Sequence, residues 1–178
     1  MNTILKIAMI LVLPYHGLGQ KKIAFEPAPV SFTIKNAAFK VNGSMNGLDG
    51  FVTLDSQNAT LIKIEGSIDP NTINTGISSR DDHLKKPEYF NVKEFPKIFM
   101  TSTQINKMSD DNYVGNFDLT IKGIKKTLAI PFVFSSTANG YMLKADFPIN
   151  RLDFQVGGKS IILGHSVKIK IEFNTSNK

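Results

Sequence analysis

Apolar and polar side chains alternate with a period of two over most of this chain. Val30, Phe32 and Ile34 alternate with Ser31, Thr33 and Lys35, while Ile62, Ile64 and Ile68 alternate with Lys63, Glu65 and Ser67. Tyr113, Phe117, Leu119 and Ile121 alternate with Val114, Asn116, Asp118 and Thr120, and Val167, Ile169, Ile171 and Phe173 alternate with Lys168, Lys170 and Glu172. Successive side chains on a strand point to opposite faces, so each run has one dry face and one wet face. That pattern predicts an antiparallel, half-solvated sheet rather than a buried parallel one. Further strands are predicted over residues 36–45 (with Phe39 and Val41), 51–56, 97–107, 124–135 (with Phe132 and Phe134) and 141–148. Asn42-Gly43, Asn46-Gly47, Asp49-Gly50 and Asn139-Gly140 supply residues that tolerate positive φ in tight turns. No linker or repeat separates the strands, so they form one domain.

One stretch breaks the alternation. Ser79–Pro96 reads SRDDHLKKPEYFNVKEFP, charged and helix-like first and aromatic afterwards. Ser79 suits a helix N-cap, Asp81 and Asp82 suit the first turn beside the positive end of the dipole, and Pro87 stops the helix after Lys85 and Lys86. The charges therefore have a structural explanation. The functional alternative is a polar rim in which Arg80 and His83 meet a ligand headgroup. Metal binding by Asp81, Asp82 and His83 is disfavoured, because adjacent helix positions point in different directions.

Composition narrows the chemistry. The chain has 178 residues, thirteen phenylalanines, no tryptophan and no cysteine. That length supports one domain with a substantial core. The missing cysteine removes disulfides, thiolate catalysis and every cysteine-based metal site. Lys6, the apolar run Ile7–Leu13, and the small residues Gly17 and Gly19 before Gln20 read as a secretory signal peptide over residues 1–19. Pro14, Tyr15 and His16 interrupt that run well short of the roughly 20 apolar residues of a spanning helix. The net charge of +6 is spread along the chain, with only Lys21-Lys22, Lys85-Lys86 and Lys125-Lys126 as basic pairs. Nucleic-acid binding calls for a denser stripe. Peripheral attraction to anionic lipid, or solubility alone, fits the spread better.

Catalytic signatures fail one by one. There is no Gly-x-Ser-x-Gly elbow and no His-Glu-x-x-His helix. Gly157-Gly158-Lys159-Ser160 resembles the end of a phosphate loop, but Asp153 stands where its first glycine belongs and no helix pattern follows. Arg151 and Asp153, near a strand end, suggest a salt bridge that clamps a crossover. His165 opens the last strand as an exposed residue. From periodicity alone the strands make a sandwich or a closed barrel, and the inward phenylalanines either fill a core or line an apolar cavity.

Several pieces, taken in order, carry a family resemblance. They are Val30–Ile34, the Gly43–Gly50 region, Thr75-Gly76 leading into Arg80–Leu84, Tyr89–Val92, Phe95-Pro96, Gly115–Gly123 and Ile149–Phe154. Together they resemble the YceI-like family of exported, lipocalin-like polyisoprenoid-binding proteins, over nearly all of the chain after the leader. Met45 departs from the aromatic often found after Gly-Ser in that hairpin. The resemblance implies a lipocalin-like antiparallel β-barrel of about eight strands, with one short helical insert near residues 79–86. It implies an elongated apolar tunnel for a long-chain isoprenoid or similar amphiphile, with no catalytic residue, cofactor or metal. The domain then covers residues 20–178 and works in the periplasm or outside the cell.

Strand parity nominates Phe32, Ile34, Phe39, Val41, Ile64, Ile68, Phe117, Leu119, Phe132 and Phe134 as inward-facing. Phe90, Phe95 and Phe154 are expected as wall or lid residues, and Arg80, Asp81, His83 and Arg151 as the polar rim. Each buried methylene of a bound chain contributes about 0.8 kcal/mol, so a long tail binds with little polar recognition. Two rival readings remain: a structural or stress-related envelope protein with a packed barrel, and a lipid-modifying enzyme using His83 and Asp81.

Overall fold

The computed structural model describes residues 19–176. The signal peptide expected over residues 1–19 therefore lies, apart from Gly19, outside the described residues. The strands are β1 (Gln20–Ala24), β2 (Val30–Asn36), β3 (Phe39–Met45), β4 (Asp49–Asp55), β5 (Leu61–Ile68), β6 (Ile98–Ser109), β7 (Asn112–Ile121), β8 (Ile124–Thr137), β9 (Gly140–Asn150) and β10 (Leu163–Ser176). Among the described residues there is one α-helix, α1 (Ser78–Leu84), between β5 and β6. Among the described residues no helix is long and apolar enough to cross a membrane.

All ten strands join one antiparallel sheet in the order β1-β4-β5-β6-β7-β8-β9-β10-β2-β3. The sheet curls so that its edges meet other parts of itself. Residues 20–36 behave as one long strand broken at Pro27 and Pro29, which lack the N–H that a ladder needs. Before the break the chain pairs with β4, and after it with β10. At the break it bridges the two: Phe25 pairs with Thr175, and the Glu26 N–H donates to the Asn174 carbonyl at 2.7 Å. The edge of β3 is tied in turn by Ser44 and Asn74, which exchange two backbone hydrogen bonds of 2.9 Å. Such ties cover edges that would otherwise invite pairing with another chain.

The two ends of the barrel differ. Around the strand ends near Thr175, Gly140 and Asn112, aromatic rings fill the interior. Phe134 stacks on Tyr141 with centroids 4.9 Å apart, Tyr113 stacks on Phe132 at 5.4 Å, and Phe25 lies against Phe173 at 4.0 Å. Such pairs contribute about 0.5–1.5 kcal/mol each beyond the area they bury. Ile23, Val52, Leu54 and Leu61 complete this packed half.

Three local expectations are corrected, and one strand is added. The added strand is β1, in which only Ile23 of five residues is buried, so it carries no alternation for the sequence to show. Asn42-Gly43 is no turn: it lies inside β3, where Phe32 pairs with Gly43. A Cβ on Gly43 would sit 2.3 Å from the Phe32 ring, so the glycine makes room for the ring that covers it. Asp49-Gly50 likewise opens β4 rather than a turn. Thr53 of β4 pairs with Lys63 and Leu54 with Leu61, which leaves Ile62 of β5 as the extra residue, so Leu61 is buried (5% exposed) and Ile62 is not (41%). The extra residue of this bulge reverses the parity that a strict period of two gave to Ile62.

Candidate functional site

The other half of the barrel is open space. A cavity of about 520 Å³ runs from the aromatic floor at Phe25, Phe132 and Phe173 to the opposite strand ends. That volume lies within the usual range of small-molecule sites. Its walls are apolar residues of β2, β3, β5–β7 and β8–β10, the inward face that the pleat gives each strand. Its polar lining groups sit together near one end: Asn36, Ser67, Thr75, Arg80, His83, Arg151, Lys159 and Ser160. They come from the β2–β3 turn, the end of β5, the α1 region and the β9–β10 connection, which places the mouth among those segments.

One side of the mouth is roofed by α1 and residues 85–95. This cover is anchored from below. The Lys122 ammonium, in the tight β7–β8 turn, donates to the Pro87 carbonyl at 2.9 Å and the Gln155 carbonyl at 3.0 Å. The Gly157 N–H donates to the Glu88 carbonyl at 2.8 Å, and a Cβ on Gly157 would lie 2.8 Å from the Tyr89 ring. Helix α1 begins one residue before the expected Ser79 cap. Its N-cap is Ile77, which has no capping side chain.

Asp81 acts on the preceding loop instead, accepting from the Thr75 N–H at 2.9 Å and from the Thr75 hydroxyl. Arg80 closes the same loop, its Nε donating to Thr75 Oγ1 and its Nη2 to the Thr75 carbonyl, both at 2.7 Å. His83 faces Glu88, with Nε2 3.2 Å from the carboxylate, and meets the Tyr89 ring edge-on at 5.1 Å. The Glu88 carboxyl is held below its ordinary range, first by its own backbone N–H and then by His83. His83 and Asp81 therefore have separate partners and form no dyad.

Arg151 is the most buried charge among the described residues, 4% exposed. The expected pair with Asp153 does not form; Asp153 accepts from the Asn150 amide at 3.1 Å. The guanidinium spans three backbone carbonyls instead: Gly164 at 2.8 Å, Val156 at 2.8 Å and Leu163 at 3.3 Å. Val156 lies in the β9–β10 connection and Leu163 and Gly164 open β10, so the arginine folds that connection against the mouth. Burial pushes its pKa down from the ordinary value.

Of the nominated residues, Phe32, Ile34, Val41, Ile64, Ile68, Phe90, Phe117, Leu119, Phe132 and Phe154 line the cavity, as do Arg80, His83 and Arg151. Four nominations are placed elsewhere. Phe39 is 76% exposed: it shares the parity of Val41 but begins an edge strand, beyond the end of its neighbours' cover. Phe134 is buried in the packed half behind the floor. Phe95 lies against Gly123 of the β7–β8 turn, outside the cavity. Asp81 is turned toward Thr75. Sequence reasoning missed Leu143, Ala145 and Phe147 of β9 and Val167, Ile169 and Ile171 of β10, all of which line the cavity. In β10 the same alternation pointed to them. Among the described residues no group of three or more His, Asp or Glu side chains converges on a metal position.

Comparison with known proteins matches this geometry. A family model described as the YceI-like domain covers residues 22–175. The UPF0312 protein YE1254 of Yersinia enterocolitica is 32% identical over 112 residues, 62% of this chain and 57% of that protein. Protein YceI of Salmonella newport is 32% identical over 103 residues, 57% of this chain and 53% of that one. This chain thus spans little more than half the length of these curated relatives. Among solved structures, Burkholderia cenocepacia BcnA superposes with a TM-score of 0.75 at 23% identity, covering 82% of this chain and 94% of that one. A polyisoprenoid binding domain from Saccharophagus degradans, implicated in plant cell wall breakdown, superposes with a TM-score of 0.70 at 12% identity, covering 90% and 99%. At such identities the structural likeness concerns the fold. The family match runs from within β1 to within β10 and takes in every wall of the cavity, and on that ground the chain belongs to the YceI-like domain family.

Proposed function

We propose that this protein is a carrier that holds a long apolar molecule, a polyisoprenoid or similar amphiphile, inside the barrel without altering it chemically. The observation that carries this reading is the cavity itself, about 520 Å³ of apolar-walled space whose polar groups gather at the mouth. An apolar tail in the walls with a headgroup among Arg80, His83 and Lys159 satisfies both ends of an amphiphile. The Saccharophagus degradans neighbour, a polyisoprenoid binding domain of similar fold, supports the choice of ligand class. A packed-barrel structural role fits less well, since the space is not filled. An enzyme built on His83 and Asp81 fits less well too, because each is engaged by a different group. The carrier is taken to be exported, with residues 1–19 removed as a leader.

Native mass spectrometry of protein purified without detergent, followed by solvent extraction, tests this. The expected result is a co-purifying lipid of stoichiometric amount, or uptake of an added polyprenol. Protein that stays empty through both would sink the proposal. Turnover of a lipid that His83→Ala abolishes while uptake persists would replace it with the enzyme reading.

A further inference from the structure

Three large apolar side chains stand in solvent at the mouth of the cavity. Phe39, at the start of β3, is 76% exposed, Ile162 is 59% exposed and Ile161 is fully exposed in the β9–β10 connection. Backbone contacts bind these segments into one tip. The Ala37 N–H donates to the Ile162 carbonyl at 2.6 Å, and Asn36 pairs with Leu163 on one side and Phe39 on the other. The tip is continuous with the cavity, whose lining includes Asn36, Lys159 and Ile162.

Its charge is one-sided. Residues 27–48 and 154–171 contain no aspartate or glutamate. Lys35, Lys40 and Lys159 are exposed there, and none of them makes an ion pair among the described residues. Lys35 and Lys40 sit directly opposite each other in the β2–β3 ladder. Like charges in that position destabilise a sheet unless an anion lies beside them. Farther along β10 the basic residues are neutralised, Lys168 by Asp146 and Lys170 by Glu172. On the opposite rim Asp81 is engaged by Thr75, and Asp82 lies 3.5 Å from Lys85. An exposed apolar group ringed by free cations is the chemistry that enters the boundary between headgroups and acyl chains of an anionic bilayer.

We propose that this tip docks the protein on an anionic lipid surface. Phe39, Ile161 and Ile162 enter the acyl boundary, Lys35, Lys40 and Lys159 lie among the headgroups, and the cavity mouth opens onto the membrane. The purpose of docking rests on the carrier reading: an apolar chain could then pass between bilayer and cavity without crossing water. The test does not rest on it.

The full chain is sedimented with vesicles of phosphatidylcholine containing phosphatidylglycerol, and with vesicles of phosphatidylcholine alone. Association with the anionic vesicles only is expected, with a loss of about tenfold in F39S/I161S/I162S. Each of K35Q, K40Q and K159Q should lower the partition roughly fivefold at low salt. Since the chain has no tryptophan, Ile161→Trp supplies a single reporter whose emission should shift to the blue on binding, whatever the fate of the triple variant. Failure of the wild type to bind, equal binding by the serine variant, or an unshifted tryptophan overturns the proposal. So does self-association through these side chains with no vesicle binding, which would assign the tip to a second copy. Polyprenol uptake is measured separately in vesicle-free solution. Uptake without vesicle binding overturns docking alone, and vesicle binding without uptake overturns the carrier reading alone.

Discussion

Arg151 is a buried cation with no carboxylate against it, and its three carbonyl acceptors explain why it is tolerated. Removing it strands one buried and two part-buried acceptors, a loss that costs more than the bonds themselves contribute. Arg151→Met should therefore destabilise the protein by about 3 kcal/mol. Arg151→Lys, which cannot reproduce the planar fork, should fall between the two. Urea titration of the purified variants checks this, and a loss below about 1 kcal/mol for the methionine variant would refute it. Gly43 makes an opposite point, since what matters there is missing volume. Gly43→Val should push the Phe32 ring toward the cavity and reduce lipid uptake, with a stability cost of about 1–3 kcal/mol. Unchanged uptake would show that the ring relocates elsewhere. At this scale the sequence was legible wherever parity held. Phe32, Phe117 and Leu119 were nominated as inward and line the cavity. Phe39 obeys the same parity yet stands in solvent, because parity gives a face and not a position along the barrel.

Strand boundaries were readable where β-branched and aromatic residues alternate, and were lost where pairing overrides local signals. β1 is a strand because β4 offers it partners, not because QKKIA has a pattern. The bulge at Ile62 has no local marker, since it is set by how β5 registers on β4. The charges of the helical insert were read as caps for its own dipole, whereas Arg80 and Asp81 both serve the Thr75 loop. Two carboxylates, the half-buried Asp118 of β7 and the exposed Glu172 of β10, give a prediction about acid. Asp118 lies below its ordinary pKa because Thr127 donates to it at 2.6 Å, with Lys125 nearby. Glu172 is lowered mainly by its hydrogen bond from Lys144. A depressed folded-state value contributes stability above the unfolded pKa, which disappears as pH falls through the folded one. Tm should therefore hold near neutrality and fall below about pH 4.5, less steeply in Asp118→Asn. Thermal melts across that range decide it, and equal slopes in both proteins would remove Asp118 from the account.

Over the whole molecule, the division between a filled half and an empty half was not visible in the sequence. Phe132 and Phe134 stand two apart on β8 and point the same way, yet one floors the cavity and the other lies in the packing behind it. The β9–β10 connection offered only a failed phosphate-loop pattern, and its role at the mouth emerges only once Arg151 folds it back. If the empty half exists to hold a ligand, filling it should trade binding for stability. Ile169→Trp, aimed at the wall, is expected to abolish polyprenol uptake while leaving Tm unchanged or raised. A variant that still takes up polyprenol would move the ligand out of this space.

The plugged end has one more consequence. Among the described residues, rings pack the end around Thr175 and the polar lining groups gather at the opposite end, so on the carrier reading the interior works as a blind sleeve. If the carrier reading holds, a chain enters it tail-first, and water displaced from inside leaves through the opening by which the chain arrives. The depth from opening to floor then acts as a gauge. A chain too long for it leaves its surplus outside, and one too short leaves a void that costs about 24 cal/mol per Å³. Discrimination by length follows, without a hydrogen bond to the tail.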